Sequence, residues 1–156
     1  GSQGSAVAIS NAVLLTNCHV LHPKGKPIYI IENDNTYPAF LLRDNERADQ
    51  CFIRSLEIAL KPVDGIKTVM KVERRERSFA IGAPKGTNRT MSQGQILDLI
   101  FCDKKRDINC ILSSAMVDFG SSGGGLFDGA GNLVGITTLK TKSNHSISIA
   151  ATEFWE

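Results

Sequence analysis

A hydroxyl, an imidazole and a carboxylate can together open a peptide bond, and this chain offers a candidate for each. The hydroxyl lies in Asp118-Phe119-Gly120-Ser121-Ser122-Gly123-Gly124-Gly125-Leu126-Phe127-Asp128, a Gly-rich bend holding two serines between apolar stretches. Glycines lack Cβ, so the backbone there can turn tightly, expose a hydroxyl and aim neighbouring N–H groups at one point, as an oxyanion hole requires. Gly and Ser are also the commonest residues of idle loops, so the bend by itself fits either role. A serine hydroxyl is a weak nucleophile near neutral pH and needs a base, for which imidazole is the suited side chain. His19, in Leu14-Leu15-Thr16-Asn17-Cys18-His19-Val20-Leu21, sits where a strand ends and the chain turns, a usual place for functional side chains. His22, and His145 within Lys142-Ser143-Asn144-His145, read as surface histidines. The base needs an acid to fix its tautomer and stabilise the imidazolium. Asp49, at the mouth of the strand Gln50-Cys51-Phe52-Ile53-Arg54, is the choice, because Asp34 and Asp44 lie in polar, turn-like runs.

Other chemistries compete for the same residues. The spacing Gly120-x-Ser122-x-Gly124, followed by Asp128 and His145, also fits a nucleophile elbow, but that design needs a parallel sheet with crossover helices. Cys18 as a nucleophile beside His19 is weaker, since adjacent side chains point apart. A metal site built from Cys18, His19, His22 and Cys51 is conceivable on residue type. The hydroxyl, imidazole and carboxylate set explains His19 and Asp49 with fewer assumptions, and no cofactor or metal is expected.

The elements that must position these groups read as strands. Segments rich in Val, Ile, Leu, Phe and Thr, bounded by Gly, Pro, Asn and Asp, fall at 5–9, 12–16, 27–32, 37–42, 50–54, 67–72, 78–82, 93–101, 109–114, 124–127, 132–138 and 146–151. No helical stretch of three turns separates them, so an all-β barrel or sandwich is expected. One turn of helix is expected over 17–22, and a short closing helix over 152–156, with Phe154 and Trp155 packed onto the core. The least patterned stretch, 56–65, reads as a linker, giving an N-terminal barrel over 1–60 and a C-terminal barrel over 61–156.

At 156 residues, 42% hydrophobic and 22% charged, the composition is that of an ordinary globular chain rather than a disordered or coiled-coil one. A net charge of +2 without long runs of one sign argues against nucleic-acid or polybasic membrane binding. The apolar runs are too short for a membrane span. The four cysteines form no C-x-x-C pair. Cys102 and Cys110 flank a polar turn, where a bridge and two free thiols are equally compatible.

Taken in order, Gly4-Ser5-Ala6-Val7-Ala8-Ile9, Leu15-Thr16-Asn17-Cys18-His19-Val20-Leu21, Asp49 with its strand, Phe79-Ala80-Ile81-Gly82-Ala83-Pro84-Lys85-Gly86, Gly120-Ser121-Ser122-Gly123-Gly124 and Leu133-Val134-Gly135-Ile136-Thr137-Thr138 resemble the chymotrypsin-fold serine proteases. The similarity is greatest to the HtrA/DegP-type trypsin-like peptidases and covers nearly the whole chain. It implies two six-stranded antiparallel β-barrels with the active site in the cleft between them. It also implies a serine endopeptidase in which Ser122 attacks, His19 carries the proton, Asp49 orients His19, and the N–H groups of Gly120 and Ser122 hold the oxyanion. Met116, Phe119, Thr138, Leu139, Lys140 and Ser148 would surround the pocket for the residue before the cut. With Met116 rather than an acid at the pocket base, a small or aliphatic residue is expected there.

Departures from the family pattern carry expectations of their own. Ser121 stands where digestive proteases have an acid that receives a new N-terminus, so activation by N-terminal insertion is not expected. The first barrel is expected to lack an opening strand, and no PDZ-type module is expected after the protease region. Cys18 and Cys51 lie close enough in the expected fold for a disulfide behind the triad, but the reading favours buried free thiols. The expected partner is a protein or peptide substrate, without nucleic acid or membrane, with further domains or an oligomer in a full-length protein. The resemblance leans to a periplasmic or secreted setting, with the cytoplasm as the alternative. The competing reading is a catalytically silent, protease-like module that holds a peptide as an added strand without cutting it.

Overall fold

The computed structural model describes residues 3–21, 25–83, 89–103, 107–117 and 121–155, with the side chains of 154 and 155 left aside. Its strands form two sheets. The first contains β1 (Val7–Ala8), β2 (Val13–Thr16), β3 (Ile28–Glu32), β4 (Asn35–Asn45) and β5 (Gln50–Arg54), in the order β1-β2-β5-β4-β3. β3 and β4 form a tight hairpin because Asn33 and Asp34 both accept left-handed backbone, at φ 52° and 65°. Asn and Asp tolerate that region, and two such residues match the twist of a two-residue hairpin.

The second sheet contains β6 (Gly65–Ile66), β7 (Arg77–Gly82), β8 (Thr90–Asp103), β9 (Ile108–Ser113), β10 (Gly125–Asp128), β11 (Asn132–Lys140) and β12 (Ser146–Ala150). Antiparallel pairing runs β10-β7-β8-β9-β12-β11 and returns to β10, closing a six-stranded barrel. β6 adds a short parallel pair at the start of β11. Among the described residues the first sheet is curled but stays open at five strands, rather than closing into the six-stranded barrel that the family resemblance implied.

Each half has its own core. Leu14, Ile30 and Ile53 fill the first, while Val72, Ala80, Ile96, Ile111, Leu126 and Val134 fill the second. A third cluster joins Val7, Leu15 and Phe52 of the first sheet to Leu133, Ile136 and Ala151 of the second half. The 55–64 segment is irregular but anchored, with Leu60 N–H on Asn11 O (2.8 Å) and Val63 N–H on Ala8 O (3.0 Å). A 3₁₀ turn, Cys18–Leu21, follows β2, and a 3₁₀ helix, Ala151–Trp155, closes the chain. The expected packing of Phe154 and Trp155 lies outside the described side chains.

One expected strand is not a strand. Residues 67–72 contain a 3₁₀ turn, Val69–Lys71, in which Lys71 N–H reaches Thr68 O (3.0 Å) and Val72 N–H reaches Val69 O (3.2 Å). The inward residues Ile66, Val69 and Val72 are spaced by three, the period of a 3₁₀ winding rather than of a strand. Met70, which alternation would have buried, is 89% exposed.

Candidate active site

The carboxylate is presented by a turn between β4 and β5. Asn45 caps a 3₁₀ turn, Glu46–Ala48, by accepting Ala48 N–H (3.3 Å), and Asp49 ends it in left-handed backbone at φ 51°. Ala48 packs on Ile108, Cys110 and Ile149 of the second barrel, which seats the turn between the two halves. Asp49 then grips His19 twice. Its Oδ1 accepts the His19 backbone N–H (2.9 Å) and its Oδ2 lies 2.6 Å from Nδ1 of the ring. With the carboxylate ionised, Nδ1 must be the protonated nitrogen, which leaves the Nε2 lone pair to act as a base. The imidazole is 47% exposed, so this lone pair belongs to a ring that solvent reaches.

Cys18, beside His19, and Cys51, two residues past Asp49, form a disulfide with Cα atoms 4.9 Å apart. This corrects the expectation of free thiols. Register decides it: β2 and β5 pair with Thr16 opposite Cys51, and Cys18 follows two residues past Thr16 at the same end of the sheet. The bridge also removes both thiols from the conceivable metal-ligand set. Cys102 and Cys110 form a second disulfide across the β8–β9 hairpin.

The nucleophile candidate stands on a clamped bend. Gly123 N–H reaches Thr137 O (2.8 Å), Gly124 N–H reaches Ser121 O (2.9 Å), and the Thr137 hydroxyl is shared between Ser121 O and Gly124 O (3.0 and 3.1 Å). Ser5 N–H donates to Ser122 O (2.8 Å), fixing the backbone of Ser122 against the N-terminal segment. Gly123 has φ 93°, and a Cβ there would overlap Ser5 O and Thr16 Oγ1, so only glycine fits. The Ser122 hydroxyl donates to Thr138 O (3.1 Å), and among the described residues no hydrogen bond joins it to His19. Asn17 links the two sides, donating from Nδ2 to Asp49 O (2.9 Å) and to Thr138 Oγ1 (3.1 Å).

The remaining expected residues lie in different settings. Gly120, Phe119 and His22 lie outside the described residues. Met116 lines a cavity of about 170 Å³ with Ile81, Met91, Val117, Ser121 and Thr137, while Leu139 and Lys140 are exposed and Ser148 is fully buried on β12. His145 belongs to the β11–β12 turn, where its N–H reaches Thr141 Oγ1 (3.1 Å). Asp128 is held by Lys67, Ala130 and Asn132, so it does not pair with His145 as a nucleophile elbow would need. Asn17 escaped the sequence reading as a site residue: nothing in Thr16-Asn17-Cys18 tells which strand its amide faces.

The description "Trypsin-like peptidase domain" matches residues 4–136. "Serine protease HTRA1" of Xenopus laevis is 28% identical over 154 residues, covering 95% of this chain and 34% of its own. "Serine endoprotease DegS" of Haemophilus influenzae is 29% identical over 145 residues, covering 87% of this chain and 41% of its own. Among solved structures, "HtrA-type protease AlgW with decapeptide" superposes with a TM-score of 0.83 at 27% identity, covering 97% of this chain and 49% of that one. The chain thus spans less than half the length of these relatives.

Proposed function

Since the chain belongs to the trypsin-like peptidase family, with an HtrA-type, two-barrel chymotrypsin-like domain, we propose that it is a serine endopeptidase acting through His19, Asp49 and Ser122. The observation that carries this reading is the double grip of Asp49 on His19, at 2.9 Å and 2.6 Å, which orients the ring and fixes its tautomer at once. Residues 1–60 and 61–156 act in this reading as two halves of one protease unit.

Rotation of Ser122 about its Cα–Cβ bond turns the hydroxyl from Thr138 O toward His19. Nε2 takes the proton as Oγ bonds to the scissile carbonyl carbon, and the N–H groups of Gly120 and Ser122 hold the oxyanion. The imidazolium, balanced by Asp49, returns the proton to the leaving amine as the C–N bond breaks. Water, deprotonated by His19, then hydrolyses the acyl-enzyme. The substrate is a protein or peptide, supported by the decapeptide named with the AlgW structure, and Met116 favours a small or aliphatic residue before the cut.

The present direction of the Ser122 hydroxyl, toward Thr138 O, favours the second reading, a peptide-binding module without turnover. A fluorophosphonate probe separates the two. Covalent labelling of the purified chain, lost in Ser122→Ala, is the expected result. A folded wild-type chain that binds peptide yet stays unlabelled would establish the silent module instead.

A further inference from the structure

Resting on that protease reading, we propose that Asn17 is a positioning residue that couples the acid and base on one sheet to the nucleophile on the other. Its side chain is fully buried at the end of β2. A primary amide has two N–H donors, and here one goes to Asp49 O (2.9 Å) and the other to Thr138 Oγ1 (3.1 Å). The orientation of the amide follows from its partners. Asp49 O is a carbonyl, and Thr138 Oγ1 spends its own proton on Ile136 O (2.9 Å), so both sites accept and the nitrogen must face them.

Each partner continues toward the reacting groups. The Asp49 backbone that Asn17 holds is in left-handed conformation, and its carboxylate aims both the backbone and the ring of His19. On the other side, the carbonyl of the same Thr138 receives the Ser122 hydroxyl (3.1 Å). The Asn17 amide therefore hydrogen-bonds neither the imidazole nor the Ser122 hydroxyl, yet it holds the residue on which each rests. The cost of this arrangement is visible in the same side chain: Asn17 Oδ1 is buried without a hydrogen-bond partner among the described residues. An apolar side chain would carry no such unpaired acceptor, so the retained amide is explained by what its two donors hold together.

Three variants test the coupling. Asn17→Ala removes both donors. Thr138→Val keeps the side-chain shape but removes the acceptor, and serves if Asn17→Ala does not fold. Ser55→Ala is the control: Ser55 is equally buried, just past the far end of β5 from Asp49, and loses its bond to Pro38 O (2.8 Å). The readouts are thermal melting, kcat and KM on a peptide substrate, and the downfield proton signal of the His19 Nδ1–H bound to Asp49, assigned by its loss in His19→Gln. Asn17→Ala and Thr138→Val are expected to broaden or shift that signal upfield and to lower kcat by about 10- to 100-fold, with KM changed by less than about threefold, the size of effect that small misplacements produce. Ser55→Ala is expected to lower the melting temperature and leave signal and kcat alone. A wild-type spectrum without the signal, Asn17 and Thr138 variants that retain wild-type signal and kcat, or a Ser55 variant that alters both as strongly would each overturn the coupling. Because the proton signal needs no turnover, a wild-type chain that shows the signal but stays unlabelled and inactive, and whose signal broadens or shifts in Asn17→Ala, would uphold the coupling while rejecting the protease reading.

Discussion

At the scale of single residues, shape and charge can be separated at Asp49. Its left-handed backbone at φ 51° suits Asn as well as Asp, so Asp49→Asn is expected to keep the fold while losing the charge that orients and balances the imidazole. Turnover should fall about ten-thousand-fold and the melting temperature should hold, checked by peptide hydrolysis and calorimetry. A second carboxylate shows its effect through pH. Burial works against the charge on Asp128, but hydrogen bonds from Asn132 backbone and side chain and from Lys67 outweigh it and hold the carboxyl below its ordinary value. Burial likewise opposes the Lys67 charge, yet hydrogen bonds and attraction to Glu76 and Asp128 raise its pKa. The Asp128 contribution is therefore complete above the unfolded carboxyl value of about 3.9 and fades as pH falls through the lower folded value. That of Lys67 is complete below about 10.4 and is lost as pH rises through the higher folded one. Asp128→Asn is expected to cost about 1–3 kcal/mol near neutrality, and the gap from wild type should narrow in melts taken below about pH 4. The pairing of His19 with Asp49 was legible in the sequence because the chain has only 3 histidines and His19 comes just after a strand ends. Asn17 was not, because an amide acquires meaning only from what it faces.

At the scale of elements, strand positions were legible wherever runs of β-forming residues were bounded by turn residues, as in β3, β5, β7 and β11. The 67–72 segment was misread because three apolar residues in six satisfy a period of two or of three, and only the anchoring of Lys67 N–H on Leu133 O (2.8 Å) starts the winding that decides. Cysteine pairing was hidden for a related reason: it depends on which strand lies beside which. The Cys18–Cys51 bridge spans a sequence separation of 33 and the Cys102–Cys110 bridge one of 8. Restricting the unfolded chain should then be worth about 4 kcal/mol for the first and about 2.5 kcal/mol for the second. Denaturant melts of Cys18→Ala/Cys51→Ala and Cys102→Ala/Cys110→Ala should show that order. Activity should suffer more from the first pair, whose strand ends carry the imidazole and the carboxylate.

At the scale of the whole molecule, the two halves meet through apolar contact. Leu133 and Ile136, fully buried, pack with Leu15 and Phe52 across the junction. Leu133→Ala is expected to cost about 2–5 kcal/mol and to leave one calorimetric transition rather than two, since the shared cluster makes the halves melt together. In the proposed protease reading, the catalytic groups are divided across this junction. His19 and Asp49 lie before the 55–64 segment and Ser122 lies after it, so one proteolytic nick there would leave two inert fragments. Hydrolysis would then depend on their reassociation and would rise with the square of their concentration at high dilution, turning a property of one folded chain into an assay of split complementation.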